Sequence, residues 1–541
     1  MGGFMFVHQP PKASSQRDIE LQNAKIRAHA ARISHSRKVK KPKATKGLRL
    51  PINIREHGEG HDKDRTIQQR EPIQTPSMPP ERYIIGLLAR IASLRSVLNQ
   101  YKRDPFNSDP VRNLPLIALE FMDFAYEILW PMNMPGLELA AVKAEMISRR
   151  RLAVQSTIEF HCQVSNMATL AFNFLTDPDS LDIINRIRMI HQNMAIKLIC
   201  QELESLRGPP SELLIQRVVL LDVQGAEPYE NWDVQIHPES PLVAANNLKA
   251  YYRFQAVECK VKPWRMLTQE IGGISKVSAG LARRLQTADV STAIDSGTQP
   301  FFPLLPETAP QDEYELDAEA LVLQTRLGSS LHGIWRAPHT RQIHAVIDET
   351  CSLTVRLDQC HHRSTKDKHE RMLQISSAAL CLQHKLYSLP VELPPNQDLE
   401  LEDYLFDACR LAIMVYNDMV LWPIPWAAGV KPRLARRLRC RLCPILSLVH
   451  DDGTGRYTNL LLWLLLMGGI AATYTTDRTW YVEQLSTYRM IVRCPTWADF
   501  KQRMQTFLWW SSVLDDPAFK LWTEILYWDP SQPWTEQVLL S

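Results

Sequence analysis

An all-α fold is what this sequence predicts, and three observations predict it. Residues 459–472 read NLLLWLLLMGGIAA, and every residue in 460–472 is apolar or glycine. A helix that is apolar all round is buried on every side. Thirteen residues span roughly 20 Å as a helix, short of the ~30 Å hydrocarbon core of a bilayer. The stretch therefore predicts a central helix of a protein core, and no membrane partner. The second observation is periodicity: Ile84, Leu87, Leu88, Ile91, Leu94 and Leu98 trace one helical stripe, and similar stripes recur to the end of the chain. The third is composition. Twenty glycines in 541 residues are few for a β-rich protein or an enzyme built on glycine loops, and 45% hydrophobic with 22% charged residues is ordinary for a globular chain.

In order, residues 1–82 read as a basic arm and linker, and residues 83–541 as one large multi-helix array. Helices are expected over 83–98, 114–130, 136–152, 157–175 and 181–206, where Pro209 and Pro210 interrupt. Residues 211–223 are ambiguous, because Val218-Val219-Leu220-Leu221 has strand composition. Further helices are expected over 246–258 and over 263–287, the latter broken at Gly272-Gly273. Residues 296–312 carry Pro300, Pro303, Pro306 and Pro310 and read as a loop or internal seam. Beyond it, helices are expected over 314–327, 340–358, 368–388, 399–419, 431–450, 456–472, 478–490, 496–515 and 517–527.

The net charge of +3 hides an asymmetry. Residues 1–70 hold 16 basic and 6 acidic side chains, so the remainder is mildly acidic. The densest run is Arg37-Lys38-Val39-Lys40-Lys41-Pro42-Lys43, followed by Lys46. Five cations in seven residues suit the acidic grooves of a nuclear import receptor, and the same side chains could neutralise DNA phosphate without reading sequence. A solvated tail is the plain alternative. A second basic patch, Lys431, Arg433, Arg436, Arg437, Arg439 and Arg441, places six cations in eleven residues. Leu434, Ala435, Leu438 and Leu442 give that helix a narrow apolar stripe. It reads either as a helix packed on the body by its leucines or as a contact surface for phosphate or an acidic partner.

Sites with recognisable chemistry are scarce. There is no phosphate-binding loop, no dinucleotide fingerprint, no nucleophile elbow and no His-Glu-x-x-His, so neither catalytic residues nor a cofactor are expected. His361-His362 and His369-Glu370 lie in a span of mixed charge that reads as a solvated turn. His161-Cys162 and His344 read as core residues. Cys440-x-x-Cys443 is a lone pair with no second pair to complete a zinc site, and no metal is expected. The opening MGGFMFVHQPP lacks the basic start of a secretory signal, and Phe6 stands where a myristoylation motif needs Ser or Thr. The ten cysteines are accordingly read as reduced thiols.

Leu462-Trp463, Gly468-Gly469-Ile470-Ala471-Ala472, Arg478 and Trp480-Tyr481 resemble a signature of fungal-specific transcription-factor domains. The resemblance continues through Trp497, Leu508-Trp509, Leu514-Asp515 and Leu521-Trp522. At the other end, Phe4-Met5-Phe6-Val7 and Ile26-Arg27-Ala28-His29-Ala30-Ala31-Arg32 resemble the start of a group of such proteins that lack the zinc cluster. This chain has no cysteine before Cys162, so the hexacysteine cluster of the DNA-binding members is absent. The resemblance implies a nuclear regulator of a metabolic or biosynthetic gene set, with a helical regulatory or dimerising body. Its implied partners are DNA through non-specific contacts, an import receptor, other transcription proteins and a second copy of the chain. A helical adaptor without DNA contact and an enzyme with an all-α active site are the alternatives.

Overall fold

In a computed structural model, the protein is described over residues 125–129, 139–171, 178–223, 238–245, 248, 262–305, 316–332, 340–362, 368–389, 401–452 and 456–528. The basic arm and the expected helices over 83–98, 114–130 and 246–258 lie outside these residues, apart from 125–129 and Leu248. Among the described residues there is no strand, and the fold is a multi-helix array. No described helix is long and apolar enough to cross a membrane.

The first half contributes α1 (Leu139–Gln155), α2 (Thr157–Ala171), α3 (Pro178–Glu204), α4 (Glu212–Val223), the short α5 (Leu242–Ala245), α6 (Pro263–Glu270) and α7 (Ala279–Ser296). The second half contributes α8 (Ala318–Arg326), α9 (Thr340–His362), α10 (Lys368–Ser388), α11 (Leu401–Val420), α12 (Val430–Asp452), α13 (Thr458–Ala471), α14 (Asp477–Ile491), α15 (Trp497–Met504) and α16 (Ser511–Leu526).

The ambiguous stretch 211–223 is helix. The Ser211 hydroxyl accepts from the amide of Leu214 at 3.1 Å, satisfying one of the orphan donors of the first turn. Leu214, Ile215, Val218, Val219 and Leu221 are then buried in a core shared with Trp264, Leu285 and Phe302. A β-branched run has here followed its packing rather than its propensity. Two expected boundaries are displaced: α7 runs on to Ser296, beyond the expected end at residue 287. The break near the C-terminus lies at 505–510, not at residue 516, and Pro517 sits inside α16. Indole donors fix the true break: Trp509 Nε1 donates to Asp515 at 3.0 Å, and Trp510 Nε1 donates to Asp358 on α9 at 2.7 Å.

Residues 297–305 pack as a strap. Gly297 closes α7 in the left-handed region at φ 68°. Asp289 accepts from the amides of Phe301 and Phe302 at 2.8 and 2.9 Å, and His384 on α10 bonds the Phe302 carbonyl at 2.8 Å. The loop is thereby held to both cores.

Helix α13 is the axis of the larger core. Residues 460–472 are buried, and α11, α12, α14, α15 and α16 pack around them. Trp463 stacks on Phe507 at 5.5 Å and donates to the Leu508 carbonyl. Gly468 and Gly469 allow close approach within an unbroken helix. A Cβ at 468 would lie 2.3–2.5 Å from the Tyr481 ring and hydroxyl, and one at 469 would lie 2.6 Å from Leu521 Cδ2. Tyr481 uses the opening to donate its hydroxyl to the Ala435 carbonyl of α12 at 2.7 Å. Arg478 caps the same spot: it donates to the Gly469 carbonyl, and both carboxylate oxygens of Glu524 on α16 accept from it, at 2.7 and 2.9 Å.

A substitution follows from this geometry. Ala at 468 would gain about 1 kcal/mol of helix propensity, yet overpacking of this kind typically costs 1–3 kcal/mol and occasionally more. Gly468→Ala is expected to be destabilising overall, read as a lower urea midpoint. An unchanged or raised midpoint would mean that the Tyr481 ring moves aside freely.

Candidate polyanion interface and the charges beneath it

The first basic run, Arg37, Lys38, Lys40, Lys41, Lys43 and Lys46, lies outside the described residues. The second patch is helix α12, and its geometry can be followed residue by residue. Leu434, Ala435, Leu438 and Leu442 are buried and seat the helix on the body. Lys431 is also inside. Its ammonium lies 3.1 Å from Asp418 Oδ1, donates to the Ile424 carbonyl and sits over the Trp426 ring at 4.6 Å. Asp418 Oδ1 accepts the Ile424 amide as well, so one buried ion pair closes the turn between α11 and α12. Burial pushes the Asp418 carboxyl up and the Lys431 ammonium down, each against the attraction of the other.

Arg433 donates both terminal nitrogens to the Ile294 and Asp295 carbonyls, the C-terminal end of α7, where a cation is favoured. Beside it, burial lifts the Asp295 carboxyl to about 7, although Arg433 and Lys262 pull it down. Arg441 donates to Asp407 Oδ2 at 2.7 Å, and Arg410 holds Oδ1 of the same carboxylate at 2.6 and 3.0 Å. Burial opposes ionisation of Asp407, but the two guanidinium groups outweigh it and hold the carboxyl below its usual range. Arg439 pairs with Asp477 at 2.7 Å and lies over the Trp480 ring, with Arg436 3.6 Å from the same carboxylate. Arg437 packs near Gly297, and burial, reinforced by neighbouring arginines, lowers its affinity for the proton.

Four of the six cations of α12 therefore lie beside a carboxylate of the body, Asp407 or Asp418 of α11 or Asp477 of α14, and Arg433 is taken up by carbonyls. Arg436, with its side chain 76% exposed, is the cation most open to an outside partner. Sequence reading named the cations and missed these aspartates. A signal was present: Asp407 and Asp418 are eleven residues apart, three turns along one helical face.

Elsewhere, no group of three metal-ligating side chains occurs among the described residues. His161 and His191 face each other across α2 and α3, Nδ1 to Nδ1 at 3.0 Å, so one ring donates and the other accepts. Burial lowers both, and His161 adds repulsion that brings His191 to about 4. Burial pushes the neighbouring Cys162 thiol up to about 12. His361 lies against Trp510, His362 is 3.4 Å from Asp358, and His344 lies beside His332. Comparison with family models, curated proteins and solved structures finds no match.

Two measurements test these charges. Lys431→Met leaves Asp418 buried and unpaired and is expected to cost about 3–5 kcal/mol in urea unfolding; Lys431→Met with Asp418→Asn should recover most of it. Equal losses in both variants would contradict the ion pair. For the histidines the sign is set by the unfolded chain, which binds protons near pH 6.5 while the fold resists them. Stability is lost as pH falls from about 6.5 toward 4, by up to about 3 kcal/mol, and His191→Gln should blunt this decline. Parallel pH profiles of melting temperature for the two proteins would show that the pair remains neutral without cost.

Proposed function

We propose that the chain is a nuclear regulator of gene expression, controlling a metabolic or biosynthetic gene set. In this reading the helical body acts as the regulatory or dimerising part. The basic arm serves nuclear import and adds non-specific contact with DNA phosphate. The observation that carries the reading is spatial. Residues behind the resemblance to fungal-specific transcription-factor domains converge on one knot, where Gly468, Gly469, Arg478, Tyr481 and Leu521 touch. Trp497, Trp509 and Trp522 form the adjoining aromatic cluster, with ring centroids 6.2–6.4 Å apart. A pattern made of packing positions is what a helical regulatory body calls for.

The internal matching of α12 bears on how such a regulator would meet DNA. With Lys431 and Arg433 committed to the interior and Asp477 shared by Arg436 and Arg439, most of the α12 cations are engaged by the body's own groups. Phosphate contact then falls to the arm, through Arg37, Lys38, Lys40, Lys41, Lys43 and Lys46. The second reading, a helical adaptor that works only through protein partners, is favoured by the same observation if the arm proves inert toward DNA.

Salt-dependent binding to mixed-sequence duplex separates the two. The full chain is expected to bind with Kd on the order of 10⁻⁴–10⁻⁶ M and a steep salt slope. A chain lacking residues 1–50 should lose both the affinity and the slope. No binding by either protein at low salt would remove DNA contact and leave the adaptor.

A further inference from the structure

Nine cysteines are described, and they divide sharply by exposure. Six are buried and Cys200 is half-buried, whereas Cys440 and Cys443 on α12 are exposed. Burial pushes the thiols of Cys162 and Cys351 up to about 12 and raises that of Cys409, so these are poor nucleophiles. The exposed pair is open to a reagent in solution. It also shares one side of its helix, because residues three apart are neighbours on a helical surface.

The turn that carries the pair is unusual. Pro444 lies inside α12 and follows Cys443 directly. Proline has no amide hydrogen, so the Cys440 carbonyl lacks the donor that residue 444 would ordinarily supply. In a regular helix, residues i and i+3 have Cα atoms about 5 Å apart, from the rise and radius, inside the window of roughly 4.4–6.8 Å for a disulfide. Their Cβ atoms are about 5–6 Å apart and must close to about 3.8 Å. Tightening one turn toward 3₁₀ geometry brings them together, and the helical bond it would most directly disturb is already missing.

We propose that Cys440 and Cys443 form a peroxide-responsive dithiol, closing an intrahelical disulfide on α12. The first thiol attacks peroxide, forming an S–O bond and breaking the O–O bond, to give a sulfenic acid and one water. The second thiol then attacks the sulfenic sulfur, forming the S–S bond and releasing a second water. Two electrons and two protons leave the thiols and reduce one peroxide to two waters. A small dithiol reverses the step by becoming a disulfide itself. The inference is independent of the proposed role in transcription.

Trypsin provides a direct readout, because cleavage after Arg441 separates the two cysteines. Full-length reduced protein would be treated with a few equivalents of hydrogen peroxide, blocked with N-ethylmaleimide without unfolding, digested and weighed. The expected result is a linked peptide pair joining Cys440 to Cys443, abolished by dithiothreitol, with two maleimide-reactive thiols lost together. In Cys443→Ser the link should vanish and Cys440 should be trapped by dimedone as the sulfenic acid. Both positions are exposed, so a serine there leaves the core untouched, and an unchanged melting curve would verify this. Thiols that remain fully alkylated, proceed only to sulfinic or sulfonic acid, or link to other cysteines would overturn the proposal.

Discussion

Two missing side chains, at Gly468 and Gly469, are what the C-terminal half of this protein depends on. Each would place a Cβ within 2.6 Å of a neighbouring side chain, so α14 and α16 approach α13 as closely as they do only because nothing projects there. The contact carries polar consequences as well. Tyr481 reaches through the gap to bond α12, and Arg478 bonds the Gly469 carbonyl while pairing with Glu524 on α16. Four helices are thus tied at one place by one steric condition. Glycine lowers helix propensity by about 1 kcal/mol per residue, and the burial of a tyrosine and a leucine against α13 offsets that cost.

Electrostatics follow from the same packing. Helix α12 is basic over its first half, yet it lies against α11 and α14, which present Asp407, Asp418 and Asp477. Buried pairs of this kind contribute little net stability relative to apolar residues, but removing one partner is expensive. They fix which helix sits where. A basic helix that looks like an open polyanion site in one dimension has, in three, most of its cations engaged by the body's own groups, with Arg436 left the most exposed.

Much of the architecture was legible in sequence because it rests on short-range pattern. The uniformly apolar 460–472 could only be a buried helix, whereas Gly468-Gly469 within it fitted either a close approach or a kink. Where the sequence left the outcome open or pointed elsewhere, a tertiary contact decided it. Residues 211–223 look strand-like in composition, but their valines face Trp264 and Phe302 from a helix. The break at 505–510 depends on Trp509 and Trp510 finding Asp515 and Asp358, and the second of these partners is 152 residues away. The candidate interface was half legible: cations cluster visibly along one helix, whereas the aspartates that pair with them come from other elements, and only the spacing of Asp407 and Asp418 along one helical face hinted at them.

The most direct test of this account is a double-mutant cycle between positions 468 and 481, measured by urea unfolding. If the missing Cβ exists to admit the Tyr481 ring, Gly468→Ala should be costly with tyrosine present and near neutral once Tyr481→Leu has removed it. A coupling energy of at least about 1 kcal/mol is predicted, well outside the ~0.5 kcal/mol expected of independent sites. Strictly additive losses would contradict the claim that this contact organises the core.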